Sequence, residues 1–428
     1  MTLVVILFFL FMLMGMPVAF AFGISGVAFF LMQPTLPLTM PVQLVLSQTQ
    51  NFLLLAIPLF VLAGNLLNET GITERVMRLA SVLTGHMRAG RAQSNMVLAA
   101  SLGGITSSAI GDAAMLSRVL GPGMVEKGYS PGFSAAVIGC SSLITTMIPP
   151  GIGLVLYGTI AEVSIGRLFA AGMVPGIVMT VFLMAAVSLR ARQKGYLPER
   201  DERASLGEIA KTFVDCIWAF LFPVILIAGL RFGLFTPSEA GAFACAYAIA
   251  VGAVAYKQFS WKKLLRTLES TVVDIGMVML LIALSATFSY GIVWDQIPQQ
   301  LAAFMLGISE TPWVVMLIII AFLLFAGTFM DSTVLILMLT SILTPVADQL
   351  KIDLVHFGII MVLTLTIGLL TPPEGAVLYI VCTIFKCSLW DFVREGWLLM
   401  AAIVVVVLLV IFWPDVALWL PNLTFGAD

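Results

Sequence analysis

Charge is what this sequence has least of. Only 10% of its 428 residues are charged while 61% are apolar, whereas a soluble domain carries about 25% charge. A soluble body of this size would have too little polar side chain to cover its surface. Soluble globular classes are therefore excluded, and the chain belongs in a bilayer. A net charge of −2 says nothing about nucleic acid, and no basic tract is long enough to suggest such a partner. Histidine is nearly missing. His86 and His356 stand far apart, with no second ligand at metal spacing, and both read as structural or interfacial. The five cysteines (Cys140, Cys216, Cys245, Cys382 and Cys387) also lack metal spacing and lie in or beside apolar runs, as small buried apolar residues do. No phosphate-cradling nucleotide loop occurs, so direct use of ATP by this chain is not expected. An intramembrane enzyme would need a nucleophile–base pair, and the two histidines suggest none.

What the sequence does have is a long series of apolar runs, at about 3–32, 43–67, 93–120, 132–160, 168–189, 213–230, 236–256, 271–294, 312–344, 357–385 and 397–413. At roughly 17–25 residues per span, about ten spans fit. The first run has no basic n-region and reads as a retained membrane segment, not a cleaved signal. The one long hydrophilic stretch, Arg190 to Lys211, divides the chain near its middle. Its basic residues Arg190, Arg192, Lys194, Arg200 and Arg203 read as a solvated cytoplasmic face. Trp294, Trp313, Trp413 and Trp419 fall near segment ends, as an aromatic belt requires.

A constant offset of 223 residues relates the two sides of that divide. It pairs Ala19-Phe20-Ala21 with Ala242-Phe243-Ala244, Gly104 with Gly327, Leu116 with Leu339, and Pro149-Pro150 with Pro372-Pro373. The sequence thus predicts a first repeat at 1–189, a cytoplasmic linker at 190–211 and a second repeat at 212–428. Charge gives their relative orientation. The linker at 33–41 is uncharged and that at 74–92 carries Arg75, Arg78, Arg88 and Arg91. In the second half the pattern is exchanged: 257–266 carries Lys257, Lys262, Lys263 and Arg266, and 297–315 has no basic residue. Basic loops stay cytoplasmic, so equivalent linkers lie on opposite sides. The halves read as inverted repeats, a common plan of secondary transporters.

Two kinds of segment depart from plain spans. Segment 93–120 is flanked by Arg91 and Arg118 and has a polar tip at Gly103 to Ser108. It reads as a re-entrant hairpin. Its mate at 312–344, with a tip at Gly327 to Thr333, should open from the opposite side. The second kind is an apolar helix broken by Pro-Pro, at about 132–164 and 357–385. Proline removes the amide donor and clashes with the preceding turn. Freed carbonyls at membrane depth are tolerated only inside protein or along a cavity. With nearby hydroxyls they suit a hard cation such as Na⁺, and helix N-termini at the gap suit an anion. The expected fold is an all-α integral membrane protein built of inverted repeats, with two such hairpins and two broken helices.

Intramembrane carboxylates are costly and usually functional. Asp112 follows the first tip, Asp331 lies in the second, and Glu374 lies in the second break. Asp112 and Asp331 have a second reading, as caps of their hairpins' second arms. Glu374 beside an anion site would repel substrate unless Na⁺, a proton or a basic partner compensates it. Glu162 reads as a partner of Arg167 or as a helix cap.

These motifs resemble the large membrane subunit of tripartite ATP-independent periplasmic (TRAP) transporters, the DctM-like family. The stretches that carry the resemblance include GMPVAFAFG (15–23), LLLAIPLFVLAGNLL (53–67), GYSPGFSAAV (128–137), IPPGIGLVLYG (148–158), AEVSIGRLFAAGMVPGI (161–177), GLFTPSEAGAFACAYA (233–248), HFGIIMVLTLTIGLLTPPEG (356–375) and SLWDFVREGW (388–397). They span nearly the whole chain. The resemblance implies an elevator-type, Na⁺-coupled importer of a small organic anion in the bacterial inner membrane. It also implies two partners, a smaller membrane subunit and a periplasmic solute-binding protein. A stand-alone divalent-anion/sodium symporter is the alternative, and the need for those partners separates the two. By resemblance, one sodium site uses Thr106, Ser108, Thr145, Ile148 and Pro150, and the other uses Gly327, Gly368, Thr371 and Glu374. Substrate would lie between the tips, near Ser108, Asp112, Asp331, Ser332 and Glu374. This chain departs from the family pattern at Thr106-Ser107-Ser108, where Ser-Gly-Ser is usual, at Thr145, where glycine is usual, and at Glu374, where an apolar residue is usual.

Overall fold

Polar residues at the right register start many of the helices. Ser108, Ser130, Ser164, Ser205, Thr236, Asp331, Asp353 and Ser388 each accept a backbone N–H of the following first turn. Thr236 with Glu239 and Ser388 with Asp391 complete capping boxes. Two of these caps recur at the sequence repeat: Ser108 matches Asp331, and Ser130 matches Asp353.

The structure is a computed structural model that describes residues 2–106, 108–200, 202–258, 260–308 and 311–426. Among these residues it is helical throughout, apart from loops and one isolated bridge between Arg88 and Pro198. Six helices are long and apolar enough to cross a bilayer, and two further bent pairs bring the number to eight. The first apolar run, 3–32, is not one span. It breaks at Gly15 (φ 79°) into Thr2–Leu13 and Val18–Met32, which pack together through stacked Phe8 and Phe22.

One group of helices forms a frame. Trp261–Trp294 packs along Val18–Met32, and Pro237–Ala250 packs along Ala56–Glu69. Glycines permit the close approach. A Cβ added at Gly26 would fall on the Thr287 side chain and 2.8 Å from the Phe288 nitrogen. In the first half the matching stretch is interrupted at Asn51, between Met40–Gln50 and Phe52–Leu55. In the second half it is one 34-residue helix.

The remaining elements form a second group. The predicted first hairpin has arms Gly90–Thr106 and Ala109–Val119, and the second has arms Pro312–Gly327 and Ser332–Gln349. The second arm of the latter, at 18 residues, is long enough by itself to count as a span. The broken helices run Pro131–Ser142 to Ile152–Ile160 and Leu354–Ile367 to Ala376–Phe385. The halves interlock crosswise. Ile152–Ile160 packs on Ser332–Gln349, and Ala376–Phe385 packs on Ala109–Val119. The Tyr157 hydroxyl donates to the Leu354 carbonyl at 2.7 Å.

Arg192, Lys194, Arg200 and Arg203 of the middle linker are exposed, as a solvated face requires, and Arg190 is half-buried. Arg190 and Lys194 both pair with Glu395, at 3.0 and 2.7 Å, and the Arg190 side chain is 12% exposed. The reason is geometric: the end of Ile165–Lys194 lies against the start of Leu389–Phe412. Arg200 pairs with Glu208 at 2.9 Å. The linker also folds back on the first half. Glu199 and Arg200 donate their N–H groups to the Gly85 carbonyl at 2.9 and 3.0 Å, and Arg91 pairs with Glu199 at 2.6 Å.

Overpacking a tight helix contact costs about 1–3 kcal/mol. Gly26→Ala should therefore lower the melting temperature of the purified protein in detergent. An unchanged melting curve would show that the two helices separate without cost.

Candidate functional site

Each Pro-Pro pair removes two amide donors from a helix. The carbonyls four residues back, Thr145 and Thr146 in the first half and Gly368 and Leu369 in the second, lose their ordinary partners. The Pro149–Pro150 and Pro372–Pro373 peptide bonds are both cis. The helical path stops at Met147 and resumes at Ile152 in the first half. In the second it stops at Leu370 and resumes at Ala376.

Both breaks sit against a hairpin tip. In the first half, a Cβ at Gly103 would lie 2.8 Å from Ile148 Cβ and 3.1 Å from Thr145 Cα, and one at Gly104 would lie 3.1 Å from the Pro149 carbonyl oxygen. In the second half the contact is closer. A Cβ at Gly368 would overlap the Gly327 carbonyl, and the Glu374 N–H donates to the Thr328 carbonyl at 3.1 Å. The halves also touch here: Gly139, on the first broken helix, faces Leu370 of the second break.

The hydroxyls near the breaks share one arrangement. Thr145 Oγ1 donates to Ser142 O at 2.7 Å, and Thr146 Oγ1 to Leu143 O at 2.8 Å. Thr371 Oγ1 donates to Gly368 O at 3.1 Å. A hydroxyl whose proton is committed to its own helix offers only lone pairs to a neighbour. Together with the carbonyls, that set is chemically suited to a hard cation.

The structure thus brings Thr145, Ile148 and Pro149 to the first tip, with Pro150 next in the same break, and Gly327, Gly368, Thr371 and Glu374 to one junction. The Thr106 backbone ends the first arm; its side chain, like Ser107, lies outside the described residues. Ser108 is occupied as a cap, accepting from the Gly111 N–H at 3.2 Å. Asp331 caps in the same way, accepting from the Thr333 N–H at 2.8 Å, which realises the capping reading for that carboxylate. The N-cap residue of the first hairpin's second arm is Ser108; Asp112 follows it. It is a buried residue in the first turn of its arm. Ser332 opens the second arm. Glu162 stands away from the junctions, exposed, with φ 56°, and Ser164 caps the helix that follows. His356 is buried, its Nε2 at 2.8 Å from the Val410 carbonyl oxygen.

Sequence reasoning missed Gly172 and Gly176, which support the first break. A Cβ at Gly172 would meet the Met147 carbonyl, and one at Gly176 would lie 2.8 Å from Ile148 Cγ1. The signal was a glycine pair four residues apart, the usual mark of close helix approach in membranes.

The sequence profile of the tripartite ATP-independent periplasmic transporter DctM component matches residues 5–416. The chain is 35% identical over 412 residues to the sialic acid TRAP transporter large permease of Vibrio cholerae, covering 96% of each chain. It is 31% identical over 426 residues to the C4-dicarboxylate large permease of Rhodobacter capsulatus, again covering 96% of each. It is 32% identical over 401 residues to the 2,3-diketo-L-gulonate large permease of Escherichia coli, covering 94% of each. With its bilayer-spanning helices and paired helix breaks, the chain belongs to the DctM family of TRAP large permeases, a family of transporters rather than enzymes.

Proposed function

We propose that this chain is the Na⁺-coupled translocating subunit of a three-part importer of a small organic acid of the carboxylate or sulfonate class. It works in the bacterial inner membrane beside a smaller membrane subunit, and a periplasmic binding protein delivers its cargo. The observation that carries this reading is the pair of tip–break junctions, one in each half and 223 residues apart. Each junction offers carbonyl and hydroxyl oxygens at a helix interruption. Discontinuous helices of this kind hold ions with unwound carbonyls and anionic groups with helix N-termini.

In this reading Na⁺ is cargo at both junctions. Thr106, Ser108, Thr145, Ile148 and Pro150 would serve one ion, and Gly327, Gly368, Thr371 and Glu374 the other, Glu374 through its backbone carbonyl and not its side chain. Substrate lies between the tips, near Ser108, Asp112, Asp331, Ser332 and Glu374. The halves are inverted repeats, and the hairpins are re-entrant from opposite sides. The hairpins and broken helices move as one body past the frame, since their crosswise packing leaves no half free to move alone. Binding both ions ties each tip to its break, so loading and closure are one event.

Uptake by the reconstituted three-component system should require a Na⁺ gradient, and omitting either partner should abolish it. Full uptake in Na⁺-free medium would end the coupling proposal. Thr371→Val keeps the shape and removes one oxygen ligand. It should raise the Na⁺ concentration for half-maximal uptake about tenfold, the equivalent of roughly 1.4 kcal/mol. An unchanged Na⁺ dependence would remove Thr371 from the site.

A further inference from the structure

We infer that Glu374 is a specificity-determining residue whose carboxylate receives the positively charged group of a zwitterionic substrate. This rests on the organic-acid import proposed above and narrows it: the acid also carries an ammonium, quaternary ammonium or amidinium group.

The position is unusual in three ways. First, it is held at the junction. The Glu374 N–H donates to the Thr328 carbonyl at 3.1 Å, so the half-buried residue stays beside the second tip. Second, the other half has nothing like it. The matching residue is Gly151, where an added Cβ would run into the Thr146 carbonyl. One junction is closed by backbone alone and the other presents a charge. Third, the segments that build the two junctions, 92–117, 131–166, 312–350 and 354–385, hold no lysine or arginine to meet it. Their one histidine, His356, is buried against the Val410 carbonyl.

The other two carboxylates near the tips are engaged. Asp331 is bonded to the Thr333 N–H, and Asp112 is buried with a partner of its own. Among the described residues, no side chain bonds or pairs with the Glu374 carboxylate. At about 6 Å and an effective dielectric near 20, a like charge costs on the order of a hundredfold in binding, and an opposite charge returns as much. A purely anionic cargo would bear that penalty on every cycle. A zwitterion turns it into recognition: its acid end faces the ions and helix termini, and its cationic end faces Glu374.

The test uses the complete three-component system in proteoliposomes. The cargo is whatever the binding protein captures from cell extract, identified by mass spectrometry. It should carry a positively charged nitrogen; a cargo with acidic groups only overturns the inference. Uptake should fall at least about tenfold in both Glu374→Gln and Glu374→Gly, with the steepness of the Na⁺ dependence unchanged. Uptake within twofold of wild type, or a loss confined to Na⁺ steepness, would mean that the carboxylate serves an ion instead.

A second readout needs no cargo. With the five native cysteines replaced by alanine and Thr328→Cys introduced, a trimethylammonium thiosulfonate reagent should label faster than a sulfonate one. Glu374→Gln should cut that ratio at least fivefold, and an unchanged ratio overturns the inference. Absence of Na⁺-driven uptake in the wild type would count against the import proposal, while the labelling ratio would still decide the role of Glu374.

Discussion

A bilayer offers no water to an amide, so every backbone donor and acceptor at membrane depth must find its partner within the protein. The rest of this structure depends on that constraint. Helices satisfy it by themselves, which is why the described chain is nearly all helix. The two Pro-Pro pairs interrupt it, each taking the ordinary helical donor from two carbonyls, of which Gly368 O is met again by the Thr371 N–H and hydroxyl. Thr145, Gly368 and Leu369 are buried and Thr146 is half-buried, while Pro372 and Pro373 of the second break are exposed. A hairpin tip lies against each break, and glycines at 103, 104, 327, 368, 172 and 176 let backbone approach backbone. Hydroxyls that spend their protons on their own helix complete an oxygen-rich environment with few donors. What begins as a hydrogen-bond deficit becomes the chemistry of the site.

Much of this was legible in the sequence, because proline and charge leave local marks. Pro149-Pro150 and Pro372-Pro373 located both breaks, and the polar tips at 103–108 and 327–333 located the hairpin turns. The apolar runs gave the class. Other features needed coordinates because they join residues far apart. Nothing local in Arg190 announces Glu395, 205 positions away, so the half-buried ion pair at the start of an otherwise exposed linker needed coordinates. The bond from Glu374 to Thr328 has no signature in either residue. Whether the first apolar run is one helix or two was open in the sequence, because the flanking residues are apolar on both sides and hydropathy does not register the positive φ of Gly15. Asp331 had two readings, and only the Thr333 N–H beneath it decides that it caps.

The halves share a plan but not a chemistry. Caps recur at Ser108 and Asp331 and at Ser130 and Asp353, so the scaffold of each half is set by the same local rules. The differences lie where a site would be tuned. Thr145 stands opposite Gly368, and Gly151 opposite Glu374. The second junction is the tighter of the two, glycine against glycine, and it also carries the side-chain charge. At these paired positions the local geometry is alike and the electrostatics differ.

The helix Trp261–Trp294 differs from its first-half counterpart in having no interruption. At 1.5 Å per residue its 34 residues extend about 51 Å, well beyond a hydrocarbon core of roughly 30 Å. It opens on Trp261, Lys262 and Lys263, with Arg266 one turn further on, residues that favour headgroups over acyl chains. A straight rod with a charged foot cannot slide along the bilayer normal without dragging ammonium groups into oil. An uninterrupted helix of this length, with its basic foot at the headgroups, thus sets the depth at which the protein sits in the bilayer.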